Sequence, residues 1–257
     1  SALCALVLLA AFVVPLAHLL HWAWVQAEPF GRGELQLGLR SVTLGALAAA
    51  LTAAAALVLA YAVRQRPGAL TQTSTRIATL GYAFPGTLLA VGLYVPIAQA
   101  LGALESRLGF GGAAQGGLLL LLMAYGVRFM AVAHAPIGAA LLRIKPSLDE
   151  AARLQGAGGT RLALRVHLPL IRSGVLTAAL LVLVDVMKEM PITLMTRPFG
   201  WDTLATRVFE LTSEGEWARA AAPALAIVAV GLLPVLWLDR GLDRGLHAGG
   251  AARGSAA

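Results

Sequence analysis

Asp185, Lys188 and Glu189 stand at positions i, i+3 and i+4 inside a long apolar run, a spacing that puts all three on one face of a helix. Two carboxylates and an amine so arranged can line a polar path, form a gate or neutralise one another. Pro191 follows two residues later, and Arg128 stands alone in another apolar run. His18 and His21, at i and i+3, make half a metal site at most, and beside Trp22 and Trp24 they read as boundary residues. The single Cys4 excludes a disulfide framework and any cysteine metal centre. The sequence holds no Gly-x-x-x-x-Gly-Lys-Ser/Thr loop, so ATP is not expected to bind this chain, and no His-Glu-x-x-His helix, hydrolytic triad or pair of catalytic acids is present. No enzymatic site is expected.

The elements that must position these charges are set by composition. Of 257 residues, 58% are apolar and 13% charged, with a mean hydropathy of +0.77. An ordinary soluble domain is about half apolar and roughly a quarter charged, so this chain has too little polar surface to cover a globule in water. The expectation is an all-α integral membrane protein. A span needs roughly 20 apolar residues, and six stretches qualify: about 2–25, 41–63, 77–101, 117–142, 171–195 and 220–238. Pro85 and Pro96 are expected to break the third, and the small residues Ala48 to Ala56 to pack the second closely. Long continuous runs exclude alternating membrane strands. The first run lacks a basic leader and a cleavage site before Glu28, so it reads as a retained helix. Residues 1–240 form one six-helix domain in this reading, with 241–257 a disordered tail.

Arginine and lysine set the orientation. Arg64, Arg66, Arg76, the six basic residues from Arg143 to Arg172 and the three from Arg240 onward fall on one side. Arg32, Arg40, Arg107, Arg197, Arg207 and Arg219 fall on the other. The richer side should be cytoplasmic, which puts both termini inside. The net charge of +7 then needs no nucleic acid as partner.

The longest cytoplasmic connection, 143–172, contains Lys145-Pro146-Ser147-Leu148-Asp149-Glu150-Ala151-Ala152. Ser147 with Glu150 three residues on predicts a capping box, and Asp149 and Glu150 add charge that the helix dipole favours. Gly156 to Gly159 should end that helix, and a second short stretch from Arg161 to Val166 should lead to Pro169 at the start of the fifth span. Exposed alanines on a capped helix suit docking against another protein; an amphipathic helix on lipid headgroups is the other reading. Outside, Leu204, Val208 and Leu211 predict a short amphipathic helix capped by Asp202 or Thr203.

Glu150-Ala151-Ala152, three residues, Gly156, nine residues, Val166, one residue and Leu168-Pro169 resemble the EAA loop of ABC importer permeases, with Val166 where that family usually has isoleucine. Lys188-Glu189-Met190-Pro191, the stretch from Arg197 to Val208, Tyr82 to Thr87 and the Gly231–Pro234 turn are similar to iron(III)-type permeases. The resemblance implies a type I permease bundle in a bacterial inner membrane, with a cytoplasmic coupling helix built on Ser147, Asp149, Glu150, Ala151, Ala152, Gly156, Val166, Leu168 and Pro169. It implies a partner ATPase dimer that carries ATP and magnesium, a second permease half, fused or homodimeric, and a periplasmic or extracellular binding protein. Beginning with Ser1 and being one half in length, the chain is expected to be a C-terminal half or a half-size permease. Iron(III) is the expected cargo, with thiamine, sulfate and phosphonate as alternatives and an ATPase-independent carrier as the other class. A hard ferric ion wants oxygen ligands; no carboxylate or tyrosine cluster is apparent, so capture is expected in the binding protein and no metal site in this chain.

Charges within a span normally face a bundle interior or a water-filled path. Asp185, Lys188, Glu189, Pro191 and Arg128 are therefore candidates for the translocation path or its gate. The competing reading is a self-neutralising set that fixes the fifth helix to a neighbour, through Arg128.

Overall fold

The computed structural model describes residues 2–26, 32–108, 113–232 and 236, and among them every regular element is a helix. In chain order these are α1 (Ala2–Val25), α2 (Arg32–Gln65), α3 (Ala69–Thr79) with a 3₁₀ turn at Leu80–Ala83, α4 (Gly86–Leu108) and α5 (Ala113–Leu142). Then follow α6 (Pro146–Leu154), α7 (Gly159–Leu170), α8 (Arg172–Met187), α9 (Pro191–Thr196), α10 (Leu204–Ser213) and α11 (Ala221–Leu232). The tail at 241–257, the end of the sixth run and its Pro234 turn lie outside the described residues.

Three of these helices are long and apolar enough to cross a membrane by themselves, and five crossings result if each of two bent pairs is one span. Among the described residues, two of the six expected runs are bent pairs, and the sixth is described as the shorter helix Ala221–Leu232. The third run is a broken helix, its two arms bent by 117° at Pro85. Proline pushes the preceding residue to extended backbone, and Phe84 lies at φ −86°, ψ 145°. Pro96, expected to break the same run, stays inside α4. The fifth run also departs from expectation. α7 continues as helix through Pro169 to Leu170, and the bend of 74° into α8 falls at Ile171. α8 stops at Met187, because Pro191 has no N–H to give the Met187 carbonyl.

Contacts divide the chain into two units, residues Arg40–Asp202 and the flanking Ser1–Leu39 with Thr203–Ala257. In the larger unit the core lies between α2, α5 and α8. Ala48, Ala49, Ala56 and Ala60 of α2 are buried there with Tyr125, Ile137, Ala178 and Val182. Small side chains allow the close backbone approach that holds helices together in lipid, where burial from water gives no drive. In the flanking unit, Thr203 caps α10 by accepting from the Thr206 N–H at 3.3 Å, with Leu204 and Leu211 buried and Val208 half-buried. No residue of α1 is buried, and its apolar side chains are exposed except Leu16, Leu19, Trp22 and Ala23, which are half-buried. Such a helix requires an apolar solvent. His18 packs edge-on against Trp22 at 4.4 Å.

Two glycines fix how tightly the larger unit closes. A Cβ on Gly81 would collide with the main-chain carbonyl of Val127, and one on Gly174 would sit 2.6 Å from Ala140 Cβ. Gly81→Ala and Gly174→Leu are expected to lower stability by about 1–3 kcal/mol through overpacking, read as thermal unfolding in lipid nanodiscs. Gly92 in α4 has nothing within 4 Å of its missing Cβ, so Gly92→Ala should hold or raise the same midpoint.

Candidate functional site

The connection between α5 and α8 carries the motif residues. α6 begins with Pro146 at its first helical position and Lys145 as N-cap, with no side chain bonded to the cap. Ser147 is thus inside the helix, and the capping box expected from Ser147 and Glu150 does not form. The reason is local: proline, with φ preset and no N–H to satisfy, starts a helix one residue ahead of the serine. The expected glycine stop does form. Gly156 is left-handed at φ +80°, the Ala157 N–H donates to the Ala152 carbonyl at 3.0 Å, and the Gly156 N–H donates to that of Arg153 at 2.9 Å. Glu150 and Ala151 are exposed and Ala152 is half-buried; Leu154 is 90% exposed. In α7, Val166 and Leu168 are half-buried and Pro169 is exposed.

No residue of α6 is buried; polar bonds hold it instead. The Arg64 guanidinium, in the last turn of α2, reaches Asp149 with Nε at 3.2 Å from Oδ2 and Nη2 at 3.0 Å from both oxygens. The same guanidinium donates to the main-chain carbonyls of Leu141 at 2.7 Å and Ile144 at 3.2 Å, at the end of α5. From the other side His167 Nε2 lies 2.8 Å from Asp149 Oδ1, and the ring is 2% exposed. Tyr61, one turn before Arg64, packs edge-on against His167 and donates from its hydroxyl to the Gly159 carbonyl at 3.2 Å. Burial works to raise the Asp149 pKa, but bonds and charge from Arg64 and His167 outweigh it and hold the carboxyl below the usual carboxylate range. Sequence reasoning placed Asp149 in this loop for its charge near a helix start and missed both partners. A histidine between Val166 and Leu168, on a helix otherwise apolar at those positions, was the available signal.

The charges inside the spans serve the broken helices. Asp185 and Lys188 form the expected i, i+3 ion pair at 2.7 Å, with Lys188 64% exposed. Glu189 does not join them on a helix face, because α8 has already ended. Its Oε1 accepts from the Ile192 N–H at 3.4 Å at the start of α9. The same oxygen would lie 2.6 Å from a Cβ on Gly86, so glycine is what lets the first turn of α4 approach the carboxylate. Arg128, read from sequence as the residue through which this charge set could fix the fifth run to a neighbour, donates to the Phe84 carbonyl and stands 5.5 Å over the Tyr82 ring. The arginine thus meets a carbonyl freed where α3 and its 3₁₀ turn end. Pro191 opens α9, and the Thr193 hydroxyl behind it hydrogen-bonds Tyr125 Oη at 2.6 Å.

A family model described as a binding-protein-dependent transport system inner membrane component matches residues 41–247. A Salmonella typhimurium protein named for 2-aminoethylphosphonate transport is 29% identical over 202 residues, 79% of this chain and 72% of that protein. The Fe(3+)-transport system permease protein FbpB 2 of Haemophilus influenzae is 26% identical over 232 residues, covering 88% of this chain and 44% of its own length. Among solved structures, a bacterial ABC transporter involved in import of the acidic polysaccharide alginate superposes with a TM-score of 0.72 at 16% identity, over 94% of this chain and 92% of that one. The alginate transporter in complex with a pentasaccharide-bound periplasmic protein gives 0.69 at 18%, over 93% and 91%. These last two are likenesses of fold.

The direction of the Asp149 shift fixes a pH dependence. A carboxyl depressed in the folded chain contributes stability above its unfolded value, and that contribution is lost as pH falls through the folded value. Thermal midpoints in nanodiscs should therefore fall as pH drops below about 4. Asp149→Asn should lower the midpoint at neutral pH and flatten that part of the profile; an unchanged slope would remove Asp149 as its source.

Proposed function

The chain belongs to the family of binding-protein-dependent transport system inner membrane components, and from that premise we propose that α6 is the helix on which a cytoplasmic ATPase docks. Membership makes the chain an ABC importer permease subunit; the docking role rests on the form of the 143–172 connection. α6 presents Glu150, Ala151 and Leu154 to solvent, and a left-handed glycine cuts it to nine residues. Small side chains let a partner surface come close, and the exposed leucine offers it an apolar anchor. A cleft of about 530 Å³ beside the helix, lined by Arg143, Lys145, Leu148, Ala151 and Leu170, leaves room for partner side chains. The exposed alanine–leucine face of α6 is the single observation that carries this reading.

In the mechanism that follows, ATP binding by the partner favours one arrangement of the permease by its differential contacts with α6. The helix displaces, the spans rock as rigid bodies, and the path opens alternately to each side of the membrane. The gate is formed at the interruptions beside Pro85 and after Met187, a reading supported by Arg128, Glu189 and Pro191 standing at those helix ends. Asp185 and Lys188 line the path beside it: the lysine's exposure at membrane depth calls for water or a partner surface. Both termini and the α6 loop face the cytoplasm. A second permease half completes the pore, a reading supported by the 44% share of the iron-transport relative that this chain spans. The binding protein delivers cargo on the opposite side.

Ferric iron is the first cargo proposed, supported by the alignment with the iron-transport relative along 88% of this chain. The relative named for 2-aminoethylphosphonate transport favours a second, that phosphonate. Uptake of radiolabelled ferric iron and of labelled 2-aminoethylphosphonate by cells carrying the whole transporter separates the two.

Glu150→Lys and Gly156→Asp should each abolish uptake while the chain still inserts in the membrane. The first places the wrong charge on the docking face, and the second puts a Cβ and a negative charge at the left-handed end of that helix. A cysteine at Ala151, with Cys4 replaced, should crosslink to the ATPase. Crosslinks to phospholipid alone would turn α6 into a headgroup helix and end the docking account.

A further inference from the structure

α6 has no buried residue, so apolar packing does not hold it against the spans, and the glycines at Gly156, Gly158 and Gly159 leave its far end a loose connection. A lever attached in that way would swing on its own. What attaches it is one carboxylate. Asp149 receives the Arg64 fork from the end of α2 and His167 from α7, while Arg64 also holds the Leu141 and Ile144 carbonyls at the end of α5. Four chain segments therefore meet at Asp149 and Arg64, whose side chains are 15% and 17% exposed. Bonds between ionised partners are roughly twice as strong as neutral ones, and a planar guanidinium fixes direction as well as distance. Tyr61 and Gln65 extend the bracket: Gln65 Nε2 donates to Tyr61 Oη at 2.8 Å, and Tyr61 braces both the His167 ring and the Gly159 carbonyl.

We propose that Arg64 and His167 are positioning residues that lock α6, through Asp149, to the cytoplasmic ends of α2, α5 and α7, so that displacement of α6 moves these helices together. The proposal rests on the reading of α6 as the docking helix and adds the route by which its motion enters the spans. Arg64 carries the connection to α2 and α5 and His167 the one to α7. Without the fork, α6 still presents its exposed face to the ATPase, but its displacement is taken up by slack at the glycines.

The test uses the complete transporter in nanodiscs, with Cys4 replaced and single cysteines introduced. Three readings are taken: crosslinking of Ala151→Cys to the ATPase, ATP hydrolysis, and the change in maleimide reactivity of Val91→Cys in α4 on trapping with ATP and vanadate. Arg64→Gln should leave the first two within about twofold of the parent while the reactivity change falls by about fivefold or more. Arg64→Lys, which keeps the charge and loses the fork, should fall the same way, and it replaces the glutamine variant if that one does not assemble. His167→Phe, which keeps a ring and removes the bond, should fall by a smaller factor. A full reactivity change in both Arg64 variants overturns the proposal, and so does a lowered thermal midpoint with the change per ATP intact. Absence of the Ala151→Cys crosslink in the parent overturns the docking reading instead.

Discussion

A chain in lipid must satisfy its main-chain N–H and C=O groups from within itself, and the arrangement of this molecule follows from that constraint. Where the backbone is helical, apolar side chains suffice, and α1 is apolar with no buried residue. Where it breaks, polar groups have to be brought in. The chain breaks beside Pro85 and after Met187, and those are the places where Arg128 and Glu189 lie. The intramembrane charges that look like isolated chemistry in the sequence are thereby explained as partners of interrupted helices.

That account separates the four charges into two kinds. Arg128 and Glu189 each pair with a main-chain group at an interrupted helix, Arg128 with the Phe84 carbonyl and Glu189 with the Ile192 N–H. Asp185 and Lys188 pair with each other, and the lysine remains largely exposed. An exposed ammonium at that depth is stable only against water or a partner surface. The four charges therefore make two separate sets of contacts and are not one cluster.

Much of this was legible in the sequence where the cause is local. Gly156 ends α6 because a left-handed residue follows the helix, and Thr203 caps α10 because a hydroxyl reaches the third N–H along. The alanines of α2 pack as their size requires. The failures were also local in one case: Pro146 starts the helix a residue before Ser147, which removes the capping box. Proline alone did not say which runs break, since Pro85 interrupts its helix while Pro96 sits inside α4. The contacts that organise the loop were out of reach. Arg64 and Asp149 are 85 positions apart, and nothing in the spacing or composition of either segment encodes their meeting. The exposed face of α6 is visible in a motif; what holds α6 from behind is visible only in three dimensions.

Attachment by a few polar bonds instead of buried side chains suits a part that must both move and transmit. A helix packed into the core would move only by repacking it, since protein interiors shift between discrete arrangements and do not deform smoothly. A helix tied by a fork and a ring can transmit force along the bonds and rotate about them. α8 contrasts with it, because Gly174 lets α8 approach α5 so closely that even an added Cβ would lie 2.6 Å from Ala140 Cβ. Rigid contact in the spans and directional contact at their ends then act in series. On the proposed docking role, a displacement received on the surface of α6 would enter the spans through Asp149, the carboxylate that both Arg64 and His167 bond.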